Sequence, residues 1–275
     1  NTRRLNIVRN SGITAARHRR VLLTDNDVTF ASDCLVRLDE VMAADPSVGI
    51  ATPRIMYADE PDRIYADASS LHYLATSVSQ FRGRSVSDGG SPRPTVGGGI
   101  CLIDREKFDR LGGFDEDYWL GWGDDGEFYH RMRMAGHRCL YVPSAVCFHE
   151  AKAWGGGRFH RAEGQVRNRW HFILTLYGFR TLVFLAPALT LYEVLLFLFM
   201  LVKGLAGMYV RGNAAWLCEV GGILEKRRRA QEMRRVSDGD LLSSGPIYVN
   251  PELVRHPAWR LMVRAVTAVF DSYYF

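Results

Sequence analysis

Val21-Leu22-Leu23-Thr24-Asp25-Asn26-Asp27-Val28 is a short apolar run that ends in two acids with one residue between them. The run from Val21 to Leu23 reads as a buried strand. A strand that delivers two carboxylates side by side places them near the carboxyl edge of a sheet, which in open α/β folds is where ligands bind. Two acids crowded there repel one another unless a cation or a proton lies between them. Mg²⁺ and Mn²⁺ accept such hard oxygen ligands. A solvated turn is the competing reading, because Asp and Asn favour turns.

A second acidic cluster lies a hundred residues on, at Gly123-Asp124-Asp125-Gly126-Glu127. Phe128, Met132 and Ala135 follow at helical spacing and Gly136 is a stop signal, so a helix is predicted from Asp124 to Ala135. Its first turn favours ionised carboxylates through free N–H groups and the dipole, so plain capping accounts for one of the two acids. It does not account for Trp119-Leu120-Gly121-Trp122 just upstream, where an indole face suits the C–H face of a sugar ring. Two strand-like runs follow, Cys139 to Val142 and Ala145 to Phe148, and His149 comes off the end of the second. That histidine is read either as structural or as a ligand.

The order Asp25-Asn26-Asp27, Gly97-Gly98-Gly99, Leu111-Gly112-Gly113-Phe114-Asp115-Glu116, Asp124-Asp125-Gly126-Glu127 with Arg131, Tyr141-Val142-Pro143 and His149 resembles the family 2 inverting glycosyltransferases. Their fold is GT-A, an α/β sheet with helices on both faces, and many of them build bacterial surface polysaccharides. The resemblance covers residues 5 to 175. It implies that Asp25 and Asp27 hold a divalent cation on a nucleotide-diphosphate sugar, with His149 as third ligand. It also implies Asp125 as catalytic base, with Asp124 the less favoured choice. Arg17, in the Asn10-Ser11-Gly12 to Arg17 segment, and Arg158, in the Gly-rich 154–161 stretch, are expected on the donor. Trp119, Trp122 and Gly98 are expected on the acceptor side. Gly97 to Gly99 is also readable as a sheet-edge kink. Arg161 and Arg167 are further diphosphate candidates beside a possible lid.

Inverting transfer is one displacement, needing a base for the acceptor hydroxyl and neutralisation of the departing diphosphate. Glycoside hydrolysis asks for two acids flanking the bond, and Asp124 next to Asp125 cannot supply that. Relative to the family pattern, the chain opens directly at Asn1-Thr2-Arg3-Arg4. The nucleoside-binding half is therefore expected to be missing, through truncation or through rebuilt donor recognition.

The 275 residues carry 35 Lys and Arg against 30 Asp and Glu, a net charge of +5, and suffice for one α/β domain plus an appendage. Five scattered cysteines (Cys34, Cys101, Cys139, Cys147, Cys218) without a Cys-x-x-Cys pair argue against a disulfide framework or structural zinc. The first residues show no signal-peptide pattern, in keeping with activated sugars used in the cytoplasm. Between the motifs, a helix is predicted over Cys34 to Ala44, with an apolar face of Leu35, Leu38, Val41 and Met42. A strand is predicted over Val48 to Ala51 before Pro53, a long excursion over 57–95, a strand from Gly98 to Ile103, and a helix capped by Asp104.

The last decisive stretch is Leu182 to Val202, apolar except for Pro187, Thr190 and Glu193 and long enough to cross a bilayer. A single crossing from a cytoplasmic catalytic domain would export Lys226-Arg227-Arg228-Arg229, against the positive-inside tendency. A hairpin returning through residues 205 to 224 or a helix lying in the interface avoids this. Because Arg211, Trp216 and Glu219 make the return leg a poor span, we expect shallow, monotopic insertion at the cytoplasmic face of the membrane, with the basic run on anionic headgroups. A buried core helix, or a partner chain covering the apolar helix, is the alternative. The arginines lack any nucleic-acid reader fold, so no nucleic-acid partner is expected. The expected organisation is residues 1–175 as the GT-A-like domain, 176–235 as the membrane-associated region and 236–275 as a C-terminal tail. The expected function is metal-dependent transfer to a lipid-linked or polysaccharide acceptor. A non-catalytic scaffold binding glycan or a partner enzyme is the alternative, and a metal-dependent phosphohydrolase the third reading.

Overall fold

The computed structural model describes residues 4–79, 85, 90–119, 122–150, 162–247 and 256–274. Helix α1 (Leu5–Ala15) leads into strands β1 (Arg20–Leu23) and β2 (Val28–Phe30), then α2 (Cys34–Ala44) and β3 (Val48–Tyr57). Short strands β4 (Ile64–Ala66), β5 (Ser69–His72), β6 (Thr76–Ser79) and β7 (Arg93–Pro94) lie among the described residues of the 57–95 excursion. The chain continues through β8 (Cys101–Asp104), α3 (Arg105–Arg110), α4 (Gly126–Met134) and β9 (Arg138–His149). Among the described residues that follow are the helices α5 (Ala162–Leu176), α6 (Phe179–Val202), α7 (Ala206–Cys218), α8 (Val220–Glu232), α9 (Asp238–Leu241) and α10 (Pro257–Tyr274).

The main sheet runs β1-β8-β3-β9-β2, with β4 beside β3 and β7 beside β9. Strand β8 is antiparallel to both β1 and β3, and β3 is parallel to β9. Strands β1, β3 and β9 therefore end at one edge, and β8 begins there. That edge collects Asp25, Tyr57, Gly99 and His149. On one face of the sheet Ile13, Phe108, Phe114, Phe128 and Met132 pack against Ile50, Cys101, Ile103 and Cys139. On the other, Cys34, Leu38 and Met42 of α2 pack against Val48, Ala51, Leu102 and Leu140. Each large side chain buried this way contributes about 1.5–3 kcal/mol.

Several boundaries differ from the sequence reading. Strand β3 does not stop before Pro53. It runs ten residues, and pairing with β9 jumps from Pro53↔Val142 to Arg54↔Val146. The bulge accommodates a residue without an N–H and joins the two expected strands into one. Cys34, Leu38 and Met42, at i, i+4 and i+8, form the buried stripe of α2, whereas Leu35 is exposed.

The expected tail contains α10, whose Phe270 is buried in an apolar cluster with Tyr73, Phe172, Leu176, Leu185 and Leu189. That cluster is continuous across residue 175. Helix α6 is long and apolar enough to cross a membrane, by length and composition, and most of its length is not buried inside the protein.

Candidate active site

The turn after β1 sends Asp27 straight into β2, whose Val28 pairs with His149 at the end of β9. The Glu150 amide closes the corner by donating to the Asp27 carbonyl at 2.9 Å. One ligand atom from each of Asp25, Asp27 and His149 falls within a 4.8 Å spread. Asp27 Oδ1 is buried, accepts no hydrogen bond among the described residues and stands 3.5 Å from His149 Nε2. Tyr65 on β4 stacks over the imidazole at 4.5 Å. Two carboxylates and an imidazole, with one carboxylate oxygen left without a donor, fit a divalent cation of the Mn²⁺ or Mg²⁺ type.

Asp125 caps α4, its Oδ1 accepting from the Gly126 amide at 2.8 Å. Its Oδ2 accepts from the Gly98 amide at 2.9 Å, and the Gly98 carbonyl accepts from the Tyr129 hydroxyl at 2.9 Å. A Cβ at Gly98 would meet Thr52 Cγ2 at 3.0 Å and Tyr129 Oη at 3.3 Å, and φ there is +153°. A Cβ at Gly97 would stand 3.7 Å from Asp125 Oδ2, and one at Gly99 would stand 3.9 Å from Asp25 Oδ2. The three glycines thus carry the acidic cap at one end and the acidic turn at the other, across about 7 Å of backbone.

The two acids of the second cluster have different surroundings. Asp124 is buried, and Arg9 Nη1 reaches its Oδ2 at 3.1 Å while Asn6 donates to its carbonyl at 2.7 Å. Burial, and then the charge of Asp125, push the Asp124 carboxyl up to about 7, with Arg9 pulling the other way. Asp125 is only half-buried.

The remaining expected residues divide. Arg17 precedes β1, whereas Asp25 follows it, so Arg17 stands exposed at the opposite edge of the sheet. The guanidinium beside the acids is Arg9. It shares one face of α1 with Asn6 and Ile13, a helical spacing readable in the sequence once the segment is taken as a helix. Trp119 has Arg167 over its ring at 4.9 Å, and Trp122 packs edge-on to Phe172 at 5.3 Å. Asn168 ties that loop to α5, donating to the Trp119 and Trp122 carbonyls at 2.8 and 3.0 Å. Protein packing therefore accounts for part of each indole.

Arg167 is buried and paired with Glu219, so it is a structural tie and not a diphosphate contact. Arg158 and Arg161, with the rest of 151–161, lie outside the described residues. In the basic run, Lys226 bonds Asp117 at 2.7 Å and also Asp115, and Arg227 donates to the Leu174 and Tyr177 carbonyls at 2.7 Å. Half of the expected headgroup-binding run is thus engaged inside the protein.

The family described as glycosyltransferase like family 2 matches residues 6–171. The chain belongs to that family. Among solved structures, GalNAc-T7 with UDP, GalNAc and Mn²⁺ is 16% identical at a TM-score of 0.50, over 64% of this chain and 35% of that one. The mannosyltransferase PcManGT from Pyrobaculum calidifontis, in complex with GDP-Man and Mn²⁺, is 18% identical at a TM-score of 0.41, over 95% of this chain and 64% of that one. The chain thus spans about a third and about two thirds of these two proteins. A search of curated proteins returned no match. The family 2 domain has the GT-A fold, a mixed α/β sheet between helices.

Proposed function

We propose that the protein is a metal-dependent inverting glycosyltransferase that moves a sugar from a nucleotide-diphosphate donor to a lipid-linked or polysaccharide glycan at the cytoplasmic face of a membrane. The observation that carries this reading is the meeting of two acidic groups at one sheet edge. The Asp25, Asp27 and His149 cluster stands at one end of Gly97–Gly99 and the Asp125 carboxylate at the other.

Asp25, Asp27 and His149 would hold the cation, which supplies charge neutralisation for the diphosphate. Asp125, fixed by two backbone amides and only half-buried, takes the proton of the acceptor hydroxyl. That oxygen bonds to the anomeric carbon on one face while the bond to diphosphate breaks on the other. Asp124 is buried against Arg9, so its role is to hold the cap. Trp119 and Trp122 border the acceptor side.

Calorimetric titration of Mn²⁺ together with UDP or GDP tests the cation site. Asp27→Ala should abolish metal-dependent nucleotide binding, and His149→Ala should weaken it less. Unchanged Mn²⁺ dependence in Asp27→Ala removes that residue from the site. Asp125→Asn should keep nucleotide affinity and lower turnover by on the order of 10²-fold or more, read as nucleoside diphosphate released from a panel of nucleotide sugars. No metal-dependent nucleotide binding by the parent would favour the scaffold reading.

A further inference from the structure

Helix α6 is not free to stand away from the catalytic domain. Its only acid, Glu193, is mostly buried at mid-helix, bonded to Arg169 of α5 and to the Tyr209 hydroxyl of α7 at 2.6 Å. Arg169 in turn donates to the Leu74 carbonyl at 2.8 Å, inside the family 2 domain. Leu185, Ala188, Leu189 and Met200 are buried along the same helix. From Leu185 to Met200 the helix is pinned over about 22 Å at 1.5 Å per residue.

Helix α10 lies antiparallel along α6. The Tyr273 hydroxyl donates to the Phe184 carbonyl, Phe270 packs on Tyr192 at 6.0 Å and Trp259 packs edge-on to Phe199 at 5.4 Å. Positions 184, 192 and 199 thus meet 273, 270 and 259, and the two helices form a slab. The slab's outer side is apolar: Val183, Val194, Leu198 and Leu201 on α6 are 49–60% exposed, and Leu261 and Val269 on α10 are 69% and 55% exposed.

Its charges are one-sided. Across α6, α7, α10 and the Lys203 cap the acids are Glu193 and Asp271, and both have partners, Asp271 accepting from the Gly245 amide at 3.0 Å. The bases are Arg180, Lys203, Arg211, Arg260 and Arg264, of which Arg211 is paired with Glu163 at 2.9 Å and Lys203 lies 4.6 Å over the Trp259 ring.

We infer that α6 and α10 together form an in-plane docking face for an anionic bilayer, in place of a membrane span by α6. The inference rests on the membrane part of the proposed function and deepens it. A spanning α6 would have to strip Glu193 from Arg169 or drag the catalytic domain into the hydrocarbon. A helix lying flat keeps that pair and immerses only the outer stripe. Arg180, Lys203 and Arg264 then meet headgroup phosphates from the rim, their stems lying along the apolar surface.

The test is flotation of the purified full-length protein with vesicles of phosphatidylcholine alone or mixed 3:1 with phosphatidylglycerol. The parent should float with the anionic vesicles at least 10-fold better than with the neutral ones, less so in 1 M salt, and should be stripped by alkaline carbonate. The double variant Leu261→Glu with Val269→Glu should lose flotation 10-fold or more with unchanged circular dichroism. The pair Arg180→Gln with Arg264→Gln should lose the anionic preference, whereas Arg228→Gln with Arg229→Gln should keep it. Carbonate resistance of the parent, or full flotation of the Leu261/Val269 variant, would overturn the in-plane face and leave membrane attachment standing. No flotation of the parent with either vesicle would remove both.

Discussion

Tyr129 reaches the proposed base through a single glycine residue. Its buried hydroxyl holds the Gly98 carbonyl and the Gly98 amide holds the Asp125 carboxylate, each at 2.9 Å. Tyr129→Phe leaves that carbonyl without its donor, a loss of about 1–3 kcal/mol for a buried group, and frees the glycine to drift. Turnover should fall by about 10-fold while Mn²⁺-dependent UDP or GDP affinity holds, because Asp25, Asp27 and His149 do not touch this hydroxyl. Equal losses in turnover and nucleotide affinity would mean a general collapse of the edge. Gly98→Ala should be worse, since its Cβ would crowd Thr52 Cγ2 at 3.0 Å on a backbone with φ of +153°. The acids of this site were legible in the sequence because carboxylates at a strand end and at a helix start are local signals. The arginine was not. Both Arg9 and Arg17 precede β1, and only once residues 5–15 are taken as a helix does the spacing of Asn6, Arg9 and Ile13 carry Arg9 to the acids, while Arg17 lies beyond the turn at Ala16.

At the scale of elements, the close approach of α5 and α7 depends on Gly212. A Cβ there would fall 2.6 Å from the Glu163 carbonyl oxygen and 2.9 Å from Val166 Cβ, so Gly212→Ala must push the helices apart and should cost about 1–3 kcal/mol. Gly221 and Gly222 of α8 meet nothing within 4 Å. Alanine at either should stabilise by up to about 1 kcal/mol through helix propensity. Urea unfolding of the three variants separates the two kinds of glycine, and a stabilised Gly212→Ala would contradict the packing. Helices α2, α3, α4 and α6 were readable from periodicity, caps and composition. Strand β3 beyond Pro53 was not, because the bulge that tolerates the proline belongs to its pairing with β9. The partners of Lys226 and Arg227 were equally hidden, since a basic run reads as a solvated face until Asp115, Asp117 and the α5 carbonyls are brought to it.

Across the whole molecule, three histidines sit around the cluster that joins the sheet to the C-terminal helices, and all three are held neutral. His130 is fully buried beside Phe172, with neither ring nitrogen hydrogen-bonded among the described residues. Burial, helped by Arg133 and Arg234, pushes it down to about 3. Burial likewise pushes His72 down to about 4 against the pull of Asp271 on α10, and His171 to about 4 against the pull of Asp115. A folded value below the unfolded value near 6.5 means that the unfolded chain binds more protons in the interval. The stability these groups contribute is therefore complete above about pH 6.5 and is lost as pH falls through 4 and then 3. We expect urea-derived unfolding free energy to fall steeply between pH 6 and 4, with each histidine adding a slope of about 1.4 kcal/mol per pH unit. His130→Leu cannot take up the proton and should flatten the profile by about one such increment, whereas parallel profiles for parent and variant would exclude His130 as a source. Because His72 faces Asp271 of α10 and His130 faces Phe172 of α5, acid should first loosen the seam that holds the α6 and α10 slab to the catalytic domain. Protease cleavage within 177–247 should therefore appear at a higher pH than loss of metal-dependent nucleotide binding.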